Sequence, residues 1–103
     1  MFVNINDRTL PITPSSTPTA YAVPNDAQRL RIVNTSGGVI VVKGETSSTS
    51  TLTAPVAGTQ FQGTVMADGT VEMFNDSSNM SHISVYAATA TGLIYIQYTT
   101  GDK

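Results

Sequence analysis

Cysteine and tryptophan are absent from these 103 residues, and histidine occurs once. Without cysteine there is no disulfide framework and no thiolate metal site. One histidine, His82, has only Asp76 and Asn79 near it in sequence, too few convergent ligands for a metal ion. Basic residues are scarce as well. Five stand against seven acidic ones, for a net charge of −2 and a pI near 4.9, which argues against a nucleic-acid footprint. No apolar run approaches the roughly 18 residues of a membrane-spanning helix. The opening MFVNINDR lacks the basic and apolar regions of a secretory signal. No P-loop, EF-hand loop, dinucleotide fingerprint or Gly-x-Ser-x-Gly elbow occurs. Asp68, Glu72 and Asp76 fall around a turn and along one strand, the ordinary place for solvated acids. The expectation is a protein without catalytic residues, metal or cofactor, and without a nucleic-acid or membrane partner.

Charge itself is thin. Charged residues make up 12% of the chain, against about 25% in ordinary soluble domains. Serine and threonine, about a quarter of the residues, supply the polarity instead. That composition suits strands, because threonine has high β propensity. It also suits an assembled protein, in which few charges need desolvating.

What is present is β signal from end to end. The stretch RLRIVNTSGGVIVVKG, residues 29–44, sets two β-branched runs, Leu30–Val33 and Val39–Val42, around a Gly-Gly pair. It predicts a hairpin. Leu30 and Ile32 share one face, and Arg29, Arg31 and Val33 share the other. Val39–Val42 is apolar on both faces, as in a strand covered on both sides. Thr19–Val23 alternates as a strand before the Pro24-Asn25-Asp26 turn. Asp68-Gly69 predicts a second hairpin between Thr64–Ala67 and Thr70–Phe74, with Val71 and Met73 on one face. His82–Ala88 and Leu93–Thr99 predict a third. GETSSTS, residues 44–50, reads as a loop. About eight short strands and no helical periodicity predict an all-β fold, an antiparallel β-sandwich or a jelly-roll-like small barrel. Residues 1–18, with prolines at 11, 14 and 18, are expected to form an extended N-terminal arm ahead of a single domain over 19–103.

The candidate contact residues follow from faces. Tyr86, Tyr95 and Leu93 lie on the second faces of the C-terminal hairpin and are expected to stand together across it. Arg29, Arg31 and Val33 form the second face of the central one. Tyrosine and arginine are enriched at protein–protein contacts. Either a two-layer sandwich covers both faces internally, or part of this surface meets a neighbouring subunit. On the arm, Phe2, Ile5, Leu10 and Ile12 are the apolar contact candidates.

RLRIVN, a Gly-bearing turn, VIVVKG and a Ser/Thr tract, followed by GTVEMF, HISVYA and LIYIQYTTG, resemble the two halves of many small bacteriophage virion proteins. The resemblance covers residues 29–101. Where that family carries Pro-Gly before its Val-Glu strand and ends Gly-x-Gly, this chain has Asp68-Gly69 and Gly101-Asp102-Lys103. The resemblance implies a non-enzymatic structural protein of the virion. It would decorate or cement the capsid as a homo-oligomer contacting the major capsid or other virion proteins. A head–tail junction or tail component, and a glycan-binding β-sandwich module, remain the alternative readings.

Overall fold

The structure, a computed structural model, describes residues 8–24, 29–74, 80–89 and 91–99. Eight strands carry it: β1 (Arg8–Ile12), β2 (Thr19–Ala22), β3 (Arg29–Asn34), β4 (Ile40–Glu45), β5 (Thr64–Met66), β6 (Val71–Phe74), β7 (His82–Tyr86) and β8 (Ile94–Thr99). They form two four-stranded antiparallel sheets, the first in the order β1-β8-β3-β6 and the second β2-β7-β4-β5. The pairs β1·β8, β2·β7, β3·β6 and β4·β5 are those of one long two-stranded ribbon folded over on itself. This strand order is that of a jelly roll.

Alternation fills the space between the sheets. From the first sheet come Ile12, Leu30, Ile32, Ile94, Ile96 and Tyr98, and from the second Ile40, Val42, Met66, Ile83, Val85 and Ala87. The face assignments read from the sequence hold: Leu30 and Ile32 are fully buried, Arg31 is exposed, and Tyr21 packs on the core while Ala22 is exposed. The apolar run before Lys43 splits, because Val39 lies outside β4 and is 54% exposed, whereas Ile40, Val41 and Val42 are buried.

None of the three expected hairpins forms. β3 and β4, β5 and β6, and β7 and β8 each lie in different sheets. Every connection except β4–β5 is an arch that crosses the sandwich. At Asp68-Gly69 the backbone shows the difference. A two-residue hairpin loop favours a type I′ or II′ turn, with positive φ at the first central residue. Among the described residues no non-glycine residue has positive φ. Asp68 therefore cannot start such a turn. Only Gly69 is left-handed (φ 84°), and Thr70 N–H closes the turn on Ala67 C=O at 3.2 Å. Positive φ confined to the second central position is type II-like, which splays the flanking strands.

The arches at this end are tied by one side chain. Asn34 is fully buried at the end of β3. Its Nδ2 donates to Gly38 C=O (2.9 Å) and across the sandwich to Met66 C=O (3.1 Å). Its Oδ1 accepts from Ser36 N–H (3.0 Å) and the Ser36 hydroxyl (2.6 Å). Asp68 Oδ1 accepts from Gly37 N–H at 2.9 Å, and Ser36 C=O accepts from Gly92 N–H at 2.9 Å. The NTSGG segment is thus an inter-sheet knot.

Residues 8–12 of the expected arm form the edge strand of the first sheet, in register from Arg8↔Tyr98 to Ile12↔Ile94. Pro11, which lacks a donor, sits in this edge strand, where half of the backbone groups face away from the ladder. Phe2 and Ile5, the Asn25–Gln28 segment, Asn75–Asn79 and the C-terminal Gly101–Lys103 lie outside the described residues.

Candidate interaction surface

The outer faces of the two sheets are finished differently. The second sheet is partly roofed by the long connection between β4 and β5. Val41 and Leu52 are 3% and 5% exposed, and a Cβ on Gly63 would touch both. Beside them lies a polar latch. Glu45, 4% exposed, accepts from Thr51 N–H (2.9 Å), the Thr51 hydroxyl (2.8 Å) and the Ser84 hydroxyl (2.6 Å). Ser84 Oγ also lies 2.7 Å from Ser50 Oγ, and Lys43 Nζ donates to Thr51 Oγ1. Burial alone would raise the Glu45 pKa. The bonds from Ser84 and Thr51, with the charge of Lys43, outweigh it and hold the pKa below the ordinary 4.5. The latch fastens the start of the loop to β4 and β7.

The first sheet has no such roof among the described residues. Register places two rows across its outer face. One runs Pro11, Tyr95, Val33, Val71, and the other Thr9, Gln97, Arg31, Met73. Leu93 continues the same alternation ahead of β8. Val71, Met73 and Leu93 are 44%, 51% and 39% exposed, and Val33 and Tyr95 are half-buried. Arg31 Nη1 donates to Gln97 Oε1 across the β3–β8 pair. Three inter-strand spacings make the face about 14 Å wide.

Of the contact candidates, Arg29, Arg31 and Tyr95 share this face. Tyr86 does not. It is half-buried on the outer side of the second sheet, opposite Val41 in register. The expected Tyr86/Tyr95 cluster is therefore corrected: the arch between β7 and β8 sends the two rings to opposite sides of the sandwich. Ile12 is corrected too. It is a core residue, 7% exposed, and Leu10 is partly buried against the same core. Both point inward because β1 is in register with the inward positions of β8. Val71 and Met73, which complete the apolar rows, were legible as one face of a strand, but not as the outer one.

His82 begins β7 half-buried, with Nδ1 2.8 Å from Ser81 Oγ. No group of three or more His, Cys, Asp or Glu able to hold a metal occurs among the described residues. A cleft of about 320 Å³ opens between Val42, Gly44, Phe74, Met80 and Ile83. Its walls are mainly apolar, with Lys43 the one titratable side chain among the described lining residues. Tyr98 closes the other flank of the core, and burial raises its pKa against the opposing charge of Arg8. Its hydroxyl reaches Ala22 C=O at 3.4 Å, which ties the first sheet to the second. Comparison of this chain with protein-family models, with characterised proteins and with solved structures finds no match.

Proposed function

We propose that this chain is a structural subunit of a bacteriophage particle, a capsid decoration or cement protein whose work is burial of surface between neighbouring subunits. The observation that carries the reading is the finish of the outer faces. The second sheet is partly covered by its own loop, with Val65 left exposed, while the first, with no such cover among the described residues, keeps Val71, Met73 and Leu93 at the surface beside Arg31 and Gln97. A row of Tyr, Val, Met and Leu with a held guanidinium has the composition of a protein contact. The resemblance of residues 29–101 to small virion proteins supplies the setting. Jelly rolls also house other activities, so the fold alone does not choose among them. Repetition on a lattice multiplies weak single contacts.

The test is to purify intact particles from an infected culture and count copies of this chain by quantitative mass spectrometry. Many copies per particle are expected, falling sharply in a Val71→Glu/Met73→Glu chain that keeps its β-sheet circular dichroism. Absence of the chain from purified particles refutes the reading.

A further inference from the structure

The long connection between β4 and β5 is fastened to the sandwich at one place. Among the described residues no backbone hydrogen bond joins residues 46–62 to either sheet. The one bond of that kind in the loop, from Thr59 N–H to Val56 C=O at 3.0 Å, is internal to it. The side-chain bonds from the loop to the strands all start at Ser50 and Thr51 and end on Glu45, Ser84 and Lys43. The apolar contacts beneath the loop are also separate from the core. Val41 and Leu52 are buried, yet neither belongs to the cluster that fills the space between the sheets. From residue 46 to residue 67 the sequence has no ionisable side chain. The attachment of the loop therefore hangs on a single carboxylate.

We propose that this loop is a strap with an acid-sensitive clasp: protonation of Glu45 releases residues 46–62 and uncovers Val41 while both sheets stay folded. Three donors meet the carboxylate, the Thr51 N–H, the Thr51 hydroxyl and the Ser84 hydroxyl. Protonation turns one of its oxygens into a donor. The hydroxyls can rotate to suit, but the Thr51 N–H cannot, and a buried donor without an acceptor is costly. The titratable groups facing Glu45 are Lys43 on its own strand and His82, opposite it in register on β7. Beyond β7, β2 sets only Ala20 and Ala22 on this face. Neutralising Glu45 thus leaves Lys43 beside the clasp without its counter-charge. Release is local, because a segment with few bonds and its own small apolar cluster opens below the free energy of global unfolding. Bonds from Ser84 and Thr51 hold the Glu45 pKa below 4.5, so the strap is closed at neutral pH and opens as pH falls through the folded value. Opening joins Val41 to Tyr86 and to the exposed Val65, its neighbours in register, in one apolar row. The device belongs to the second sheet and is independent of the reading of the first.

The test follows nuclear Overhauser contacts in the full chain titrated from about pH 7 to pH 3. The Leu52–Val41 contact is expected to fade in one step with its midpoint below pH 4.5. The contact between Ile32 and Ile96, partners in β3 and β8, is expected to persist through that step. Glu45→Gln is expected to show no step. Ser84→Ala removes one donor and keeps the titrating group, so its step is expected at higher pH. His82→Gln is expected to keep the step. A Leu52–Val41 contact that survives to the acid end overturns the proposal, as does a step that remains in Glu45→Gln or vanishes in His82→Gln. Loss of the Ile32–Ile96 contact in the same step overturns it too, and so does a Ser84→Ala midpoint that is unmoved or lowered.

Discussion

Replacing Asn34 by alanine tests the argument that these connections are arches tied at one point. The side chain makes four hydrogen bonds, to Gly38 C=O, Met66 C=O, Ser36 N–H and the Ser36 hydroxyl. Not all are lost equally. The Ser36 hydroxyl and Gly38 C=O lie 3.2 Å apart and keep each other. Met66 C=O loses its bond from Asn34, and Ser36 N–H loses its acceptor in a residue only 1% exposed. Each buried group left unsatisfied costs about 1–3 kcal/mol, so the substitution should cost roughly 4 kcal/mol, a large share of the 5–15 kcal/mol that holds a typical domain together. Asn34→Asp should be at least as damaging, because a carboxylate has no N–H for either carbonyl. Urea denaturation followed by circular dichroism reads the effect. With a slope near 1.5 kcal/mol/M, the midpoint should fall by roughly 2–3 M, or the variant should not fold. A loss below about 1 kcal/mol with the slope unchanged would refute the knot, since a turn asparagine in a solvated hairpin costs no more than that.

Glu45→Gln should cost about 1–3 kcal/mol at neutral pH, because the amide places a donor where Thr51 and Ser84 already donate. The Glu45 pKa is lowered on folding, so its contribution is present above the unfolded value and lost as pH falls through the folded one. The gap between wild type and variant should therefore close below about pH 4.5, and a gap constant from pH 7 to pH 3 would exclude the latch. Gly92→Ala should destabilise by about 1–3 kcal/mol, because its Cβ would lie 2.9 Å from Thr35 C=O. Gly44→Ala meets mainly the flexible end of Met80 and should cost less. Equal melting temperatures for the two would remove the packing argument at the arch.

The inward and outward sides of nearly every strand were legible from residue order, because side chains alternate along a strand whatever it pairs with. Leu30 and Ile32, Ile83 and Val85, and Ile94 and Ile96 announce the core in this way. β-branched runs and turn signals likewise marked an all-β chain of about eight strands. Partnership was not legible. NTSGG and Asp68-Gly69 carry the residues of hairpins, yet Asp68 does not take the positive φ that a two-residue hairpin favours, and Asn34 reaches Met66 across the sandwich. β1 escaped notice because Pro11 and the prolines that follow at 14 and 18 suggest a free arm, whereas an edge strand tolerates a missing donor. Glu45, Ser50, Thr51 and Ser84 look like ordinary loop and strand polar residues until the chain brings positions 39 apart within 2.6 Å. Local order decides which way a side chain faces. Which other strand it faces is decided only when distant segments compete to cover the same apolar surface, and that competition has no local signature.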